Sequence, residues 1–591
     1  MKYLFLTVLI VLPLSLFNSC AKKPEMKKEI ALRLEPKEGN PRNSEGDFIQ
    51  LKDGRIKFIY SHFTDGSGDN AGAYLAGRYS TDGGKTWSDN DEAVVCNEGG
   101  MNVMSVSLLR LSDDKIALFY LRKNSEHDCV PYMRTSTDET ESWSEPVRCL
   151  PDSGYFVVNN DRLVRLKSGR LIFPTSLHIN QVGVGIIRCY YSDDEGKSWQ
   201  RSKDAANPDT ATTQEPGVIE LKDGRVMLFC RTESGVQYIS YSADQGETWS
   251  DLEPGNIKSP LSPASIERIP QTGDLLLVWN NNYQAMYDGG QRTPFNLAIS
   301  KDEGKTWQKI KAIESDPNGW YCYTAIQFVG DHVLLGHCAG DRTKHGGLET
   351  TQITRLNMPW VYGEATAKPV IKEDEKGNVT LECTDKNAQI YYSLERKMPD
   401  SLYKNIIKVS RTTPLWVQAK AEGKTKSELI TAYVGTQIPQ PALQESIPTG
   451  KGLIYKYYEG ETSTVAGIKK LSLKRKGIAK TIGISKREKD MDIAFVFNGY
   501  INIPQKGQYT FYLGSNDGSV LYLDDNELIN MDGPHGFYTD SAKVVLEKGK
   551  HKMDLEYFQM KGGQGLKLSW KGPGIKKQEI PQTVFSHSQE K

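Results

Sequence analysis

The sequence predicts an all-β protein, a six-bladed β-propeller followed by two small β-sandwich domains, and three observations predict it. The first is a box that recurs five times, as STDGGKTW (Ser80–Trp87), STDETESW (Ser136–Trp143), SDDEGKSW (Ser192–Trp199), SADQGETW (Ser242–Trp249) and SKDEGKTW (Ser300–Trp307). The second is a tight-turn marker ahead of each box: LKDGR from Leu51, LSDDK from Leu111, LKSGR from Leu166, LKDGR from Leu221 and PQTGD from Pro270, with VGDHV from Val329 after the last box. The third is a change of texture after Pro369, where apolar and polar residues alternate in short runs.

The box suits a hairpin turn. Asp and Gly make the bend, the Asp carboxylate caps nearby backbone N–H groups, and the Trp anchors the loop in an apolar slot. Copies at intervals of roughly 50–60 residues mean stacked supersecondary units. Each turn marker is followed by an apolar, strand-like run such as IKFIY, IALFY, LIFPT, VMLFC, LLLVW or VLLGH. Six markers and five boxes give six blades, the last without a box, over residues 29–363.

Composition narrows the function. The chain has 591 residues, too many for one domain, with 74 Lys plus Arg against 74 Asp plus Glu. That balance argues against nucleic acid as the main partner. The 29 Tyr and 10 Trp suit a β-rich protein and also sugar stacking. There is no glycine-rich phosphate loop and no dinucleotide fingerprint, so no cofactor is expected. Cys96, Cys129, Cys149, Cys189, Cys230, Cys322, Cys338 and Cys383 show no C-x-x-C pairing, so no metal site is implied.

The N-terminus reads as an export signal. Lys2 precedes an apolar run from Tyr3 to Phe17, too short for a comfortable membrane span, and LFNSC ends at Cys20. A Cys there, followed by AKKPEMKKE, resembles the lipobox of a bacterial lipoprotein. The resemblance implies cleavage of residues 1–20 before Cys20 and lipid on its thiol. The chain is then expected in the cell envelope, lipid-anchored at the periplasm, outer membrane or cell surface, with the membrane as a partner.

Two β-domains follow the propeller. Residues 367–436, with NAQIYYSLERKMPDSLY, resemble the immunoglobulin-like accessory domain of chitobiase-type enzymes. A Pro-containing linker covers residues 437–450. Residues 451–575, through GYINIPQKGQYTFYLGSNDGSVLYLDDNELINMDG, resemble the protective-antigen-type β-sandwich, a module that often binds carbohydrate. Some members hold Ca²⁺ and a sugar on consecutive Asp residues, where this chain has Ser515-Asn516-Asp517-Gly518.

A propeller gathers polar side chains of its inner strands around one axis, where a pocket opens. The candidates are Asp69 in DGSGDNAG, Glu215 in QEPGVIEL, Arg231 in LFCRTESG, Arg292 before FNLAISKDEGKTW, and Tyr323 in WYCYTAI. In this order and setting the propeller resembles the exo-sialidases, Asp-box enzymes of glycoside hydrolase family 33. The resemblance implies Asp69 as acid/base, Tyr323 as nucleophile and Glu215 as the group that activates it. It implies Arg231 and Arg292 as carboxylate-binding residues. The family's first clamp arginine lies in an RIP stretch, and here the corresponding stretch reads Asn43-Ser44-Glu45-Gly46-Asp47-Phe48, with Arg42 nearby but offset. Asn102, Asn160 and Asp161 stand at blade starts equivalent to that of Glu215 and are further substrate-binding candidates.

The implied chemistry is retaining hydrolysis. The anomeric carbon of a sialic acid bears a carboxylate, which repels an anionic nucleophile, so a Tyr attacks instead. The expected function is release of a terminal sialic acid or related acidic sugar from extracytoplasmic glycans. The alternatives are the same scaffold acting on another terminal sugar, or a non-catalytic glycan-binding lipoprotein.

Overall fold

The computed structural model describes residues 25–588 except 180–184, 283–291, 345, 375–377, 396, 410–412, 436–438, 444–448, 534–536 and 561–563. The export signal and Cys20 lie outside the described residues. The described chain is almost entirely β, built of small antiparallel sheets. Up to Asn357 it makes six successive four-strand units, an arrangement consistent with a propeller.

The first unit shows the pattern. An inner strand, Arg42–Gln50, turns at the LKDGR marker into Ile56–Phe63, then Ala73–Ser80, then the outer strand Glu92–Val95. The marker turn closes on itself, with Leu51 N–H donating to Arg55 O at 2.8 Å and Gly54 N–H to Leu51 O at 3.0 Å. Leu111–Lys115, Leu166–Arg170 and Leu221–Arg225 repeat the closure. The second and third units share one sheet through the short strand Tyr155–Val157.

The five boxes occupy one place in the unit, the turn from third strand to fourth. Ser80 Oγ accepts from Gly84 N–H at 2.9 Å, and Asp82 Oδ1 accepts from Lys85 and Thr86 N–H at 3.0 and 2.9 Å. The divergent copy folds alike, with Thr140 N–H on Ser136 Oγ and Ser142 N–H on Asp138 Oδ1, both at 2.9 Å. Each box Trp packs on a buried apolar cluster, as Trp199 does edge-on to Phe173 with ring centres 5.1 Å apart.

The sixth unit explains its missing box. Its strands Gly319–Val329, His332–Asp341 and Thr351–Asn357 are completed by the N-terminal strand Lys28–Leu34, which pairs with Thr351–Asn357. The fourth strand therefore arrives from the other end of the chain, and no third-to-fourth turn exists to carry a box. A short helix, Met358–Tyr362, follows instead, capped by Asn357 through Trp360 N–H.

Two further β regions follow. Val370–Glu373, Asn378–Glu382 and Ile407–Lys408 form one sheet and Gln389–Ser393, Ser401–Leu402, Thr413–Lys420 and Ile430–Val434 another, around Val379, Leu415 and Val417. From Thr449 an eight-stranded and a four-stranded sheet enclose a large core that includes Phe495, Phe511, Leu555 and Trp570. In its loop, Asp517 is engaged internally, its Oδ2 accepting from Met560 N–H at 2.6 Å and Gln559 Nε2 at 3.0 Å.

Candidate active site

The inner strands are not regular. Four of them carry a β-bulge at the same place, between Ser44 and Asp47, Met104 and Ser107, Gln214 and Gly217, and Cys322 and Ala325. The bulged residues Glu45, Ser105, Glu215 and Tyr323 all have left-handed backbones, with φ of 56°, 59°, 48° and 55°. Asp161, at the start of the third unit, joins them at 56°. Such a conformation costs about 1–2 kcal/mol for a residue with a side chain. A bulge re-aims one side chain out of the strand's alternation. Gly46 lets the first bulge close, because a Cβ there would lie 2.5 Å from the Phe58 ring.

Two of these bulged residues meet. The Tyr323 hydroxyl donates to Glu215 Oε1 at 3.0 Å. Arg231 Nη1 lies 2.5 Å from Glu215 Oε2, and Arg231 is steadied by Gln214 Oε1. The Arg292 guanidinium stands 5.2 Å from the Tyr323 ring centre and 5.1 Å from that of Trp320. Burial first, then the Glu215 carboxylate, pushes the Tyr323 phenol well above its usual range, against the pull of Arg292 and Arg231. The resting phenol is therefore neutral, with its proton already on the hydrogen bond to Glu215. Arg292 Nη1 is buried and has no hydrogen-bond partner among the described residues. A buried guanidinium nitrogen left so calls for an anion.

Asp69 anchors the other side. Arg42, only 1% exposed, reaches it with Nη1 at 2.6 Å from Oδ1, and also binds Ser67 O through Nη1 at 3.1 Å. The same guanidinium holds Glu45 Oε1 through Nη2 at 3.0 Å and Ser44 Oγ through Nε at 3.0 Å, and lies over Phe63. Crowding raises the Asp69 carboxyl, but Arg42 above all, with Lys123 and Arg292, outweighs it and holds it below the usual carboxylate range. Arg292, which acts on Asp69 and stacks on Tyr323, links the two halves.

Asn102, Asn160 and Asp161, expected to bind substrate, hold backbone groups instead. Asn102 Nδ2 donates to Asp69 O at 2.9 Å and Ala71 O at 2.8 Å, pinning the loop that carries Asp69. Asn160 Nδ2 donates to Gly46 O at 2.8 Å and Tyr323 O at 3.1 Å, and Asp161 Oδ2 accepts from Ile326 N–H at 3.0 Å. Around the bulges, Gly46 O, Tyr323 O and Ile326 N–H need partners, and Asn160 and Asp161 supply them.

Sequence reasoning passed over Glu45 and Lys123. Glu45 is buried against Arg42 and the Ser105 hydroxyl, and desolvation pushes its carboxyl up to about 7. The signal was present: Glu45 stands as far ahead of its LKDGR turn as Glu215 stands ahead of the second one. Lys123 Nζ donates to Asp69 O at 3.1 Å and lies over the Tyr155 ring, a placement no motif announces.

Parts of the chain match known proteins. Residues 80–335 match the BNR repeat-like domain family and residues 475–583 the PA14 domain family. The chain is similar to a sialidase of Bacteroides fragilis, 26% identical over 35% of this chain and 39% of that protein. It is also similar to a sialidase of Micromonospora viridifaciens, 25% identical over 48% of this chain and 46% of that one. It thus spans less than half the length of these relatives. Among solved structures, a protein of unknown function from Dyadobacter fermentans matches 56% of this chain and 99% of its own at 20% identity, with a TM-score of 0.47. The chain thus carries an Asp-box (BNR-repeat), sialidase-like region and a PA14-type β-sandwich domain.

Proposed function

We propose that the protein is an exo-acting, retaining glycoside hydrolase that releases a terminal sialic acid or related acidic sugar from extracytoplasmic glycans. Its six four-stranded units are the blades of a closed propeller, and the site lies where their inner strands converge. The observation that carries the reading is the hydrogen bond from Tyr323 to Glu215 inside a cluster of arginines.

The residues divide the work as follows. Arg42, Arg231 and Arg292 grip the sugar carboxylate, for which guanidinium forks are suited. As the Tyr323 oxygen bonds to the anomeric carbon, its proton passes to Glu215, so no free phenolate need accumulate in the buried site. Asp69 protonates the departing glycosidic oxygen and later takes a proton from the water that releases the sugar. Two displacements on one carbon give retention. Asn102 and Lys123 hold the Asp69 loop by its backbone.

Turnover of a fluorogenic α-sialoside tests the reading. The wild-type protein should release the fluorophore and Tyr323→Phe should not, while still binding the sugar. A Tyr323→Phe variant as active as its parent would remove the nucleophile assignment. The chain is further proposed to be a lipoprotein of the bacterial envelope, anchored through Cys20. Fatty-acid labelling that survives Cys20→Ser would refute that anchor.

A further inference from the structure

Arg42 has two tasks in the proposed site, and it cannot perform both with one nitrogen. Its Nη1 is engaged with Asp69 Oδ1 at 2.6 Å and with Ser67 O at 3.1 Å, while Nη2 and Nε are held by Glu45 and Ser44. Glu45 and Ser44 belong to the same strand as Arg42, and both, like Arg42, are buried. Asp69 differs: it sits on the loop between the second and third strands of its unit, and its side chain is 63% exposed at the mouth of the site. Of the side chains that Arg42 binds, Asp69 is the one on an exposed loop, placed to swing away and give up its position to an incoming anion.

We propose that Asp69 and the substrate carboxylate compete for Arg42, so that docking of the acidic sugar arms Asp69 as the proton donor. The inference rests on the sialidase-type reading of the site. In the free protein Arg42 keeps the Asp69 carboxyl ionised, the wrong state for protonating a leaving group. When the sugar carboxylate takes the Nη1 position, Asp69 loses its ion pair and gains an anionic neighbour. Both changes favour its neutral form. A proton from solvent then binds an Asp69 oxygen. It passes to the glycosidic oxygen as the bond from that oxygen to the anomeric carbon breaks and Tyr323 bonds to the same carbon.

The other groups facing Asp69 allow the event to be isolated. Lys123 and Arg292 also lower its carboxyl. Glu45 is the other titrating carboxyl on Arg42, and Glu215 lies near enough to act on Glu45. Tyr155 and Cys129 feel the Asp69 charge, but burial holds both in their neutral forms. Glu45, pushed up to about 7, already carries its proton at pH 5 and is silent there.

Calorimetric titration with the non-hydrolysable 2,3-dehydro analogue of sialic acid, at pH 5 in buffers of different ionisation enthalpy, counts protons taken up on binding. Uptake approaching about one proton per ligand is expected for the wild type. Asp69→Asn should abolish the uptake and bind the analogue several-fold tighter, because Arg42 no longer has a competitor. Binding by the wild type without proton uptake, or uptake that persists in Asp69→Asn, overturns the competition and leaves the sialidase-type reading standing. Failure of the wild type to bind the analogue at all overturns both.

Discussion

Two sets of turns recur in the propeller-like region, the Asp boxes between third and fourth strands and the bulges on the inner strands, and they hold different things constant. The boxes keep both backbone and residues: a Ser hydroxyl and an Asp carboxylate collect the same N–H groups in each. The inner bulges keep the backbone and change the residue, giving Glu45, Ser105, Glu215 and Tyr323 at matching places. A turn whose residues satisfy its own backbone is a structural fastener. A strained backbone whose residues vary from unit to unit is a mount for side chains that act on something else.

The largest effect should come from emptying one mount. Tyr323→Phe removes the oxygen proposed to attack and keeps the ring, so sialoside turnover should fall on the order of 10³-fold or more. Its thermal unfolding should shift little. The reverse outcome, normal turnover with lost stability, would make the bulged Tyr a fastener like the boxes.

Arg292→Ala comes next. Hydrogen bonds to charged groups contribute about 1.5–3 kcal/mol each, so kcat/KM on an anionic sugar should drop by about 10–100-fold or more. A neutral glycoside assayed in parallel should lose far less. Equal losses on the two substrates would show that Arg292 supports the Tyr323 ring and Trp320, and grips no carboxylate.

This difference between rim and axis also decided what could be read from the chain. The boxes and the LKDGR-type turns announce themselves because their chemistry is local: Asp82 serves Lys85 and Thr86, so the whole device lies within one short stretch. Glu215, Arg231, Arg292, Tyr323 and Asp69 stand out only through their order along the chain, and their contacts link them across distant strands. Arg42 reads as offset in sequence because the bulge after Ser44 is encoded by no propensity. The contacts of Asn102, Asn160 and Asp161 with backbone groups are not legible in sequence, since the Asp69 loop and the bulges of other strands decide which carbonyls need donors. Lys123 carries no sequence signal, a buried lysine whose partner is a backbone oxygen on a loop of the neighbouring unit.

Glu45 sharpens the comparison through pH. Its folded carboxyl is raised to about 7, above the ordinary value of 4.5. A raised group stabilises fully below its unfolded value, and that contribution is lost as pH climbs through the folded one. Across roughly pH 4.5–7 the loss should reach about 3 kcal/mol. Glu45→Gln, uncharged throughout, should therefore gain stability relative to wild type over that window in urea unfolding. Glu267, raised to about 8, leaves a residual slope in both proteins. Parallel curves for the two would mean that Glu45 titrates in the folded protein as it does in the unfolded chain.

The smallest effects belong to the fasteners, and two glycines there separate backbone from packing. Gly84 and Gly304 hold the same box position at φ of 81° and 82°, so alanine meets the same left-handed penalty at both, about 1 kcal/mol. Their surroundings differ. A Cβ at Gly304 would rest 3.6 Å from the Met227 side chain, an ordinary contact, whereas at Gly84 it would press to 2.7 Å on Leu334 of the sixth unit. Gly304→Ala should thus cost about 1 kcal/mol and Gly84→Ala about 2 or more, the excess being the overlap with Leu334. The Thr140 copy, at φ 78°, shows that a side chain can occupy the position when its neighbours leave room. Equal costs at Gly84 and Gly304 would mean that Leu334 yields freely, and that the boxes fix only their own turns without registering one unit against the next.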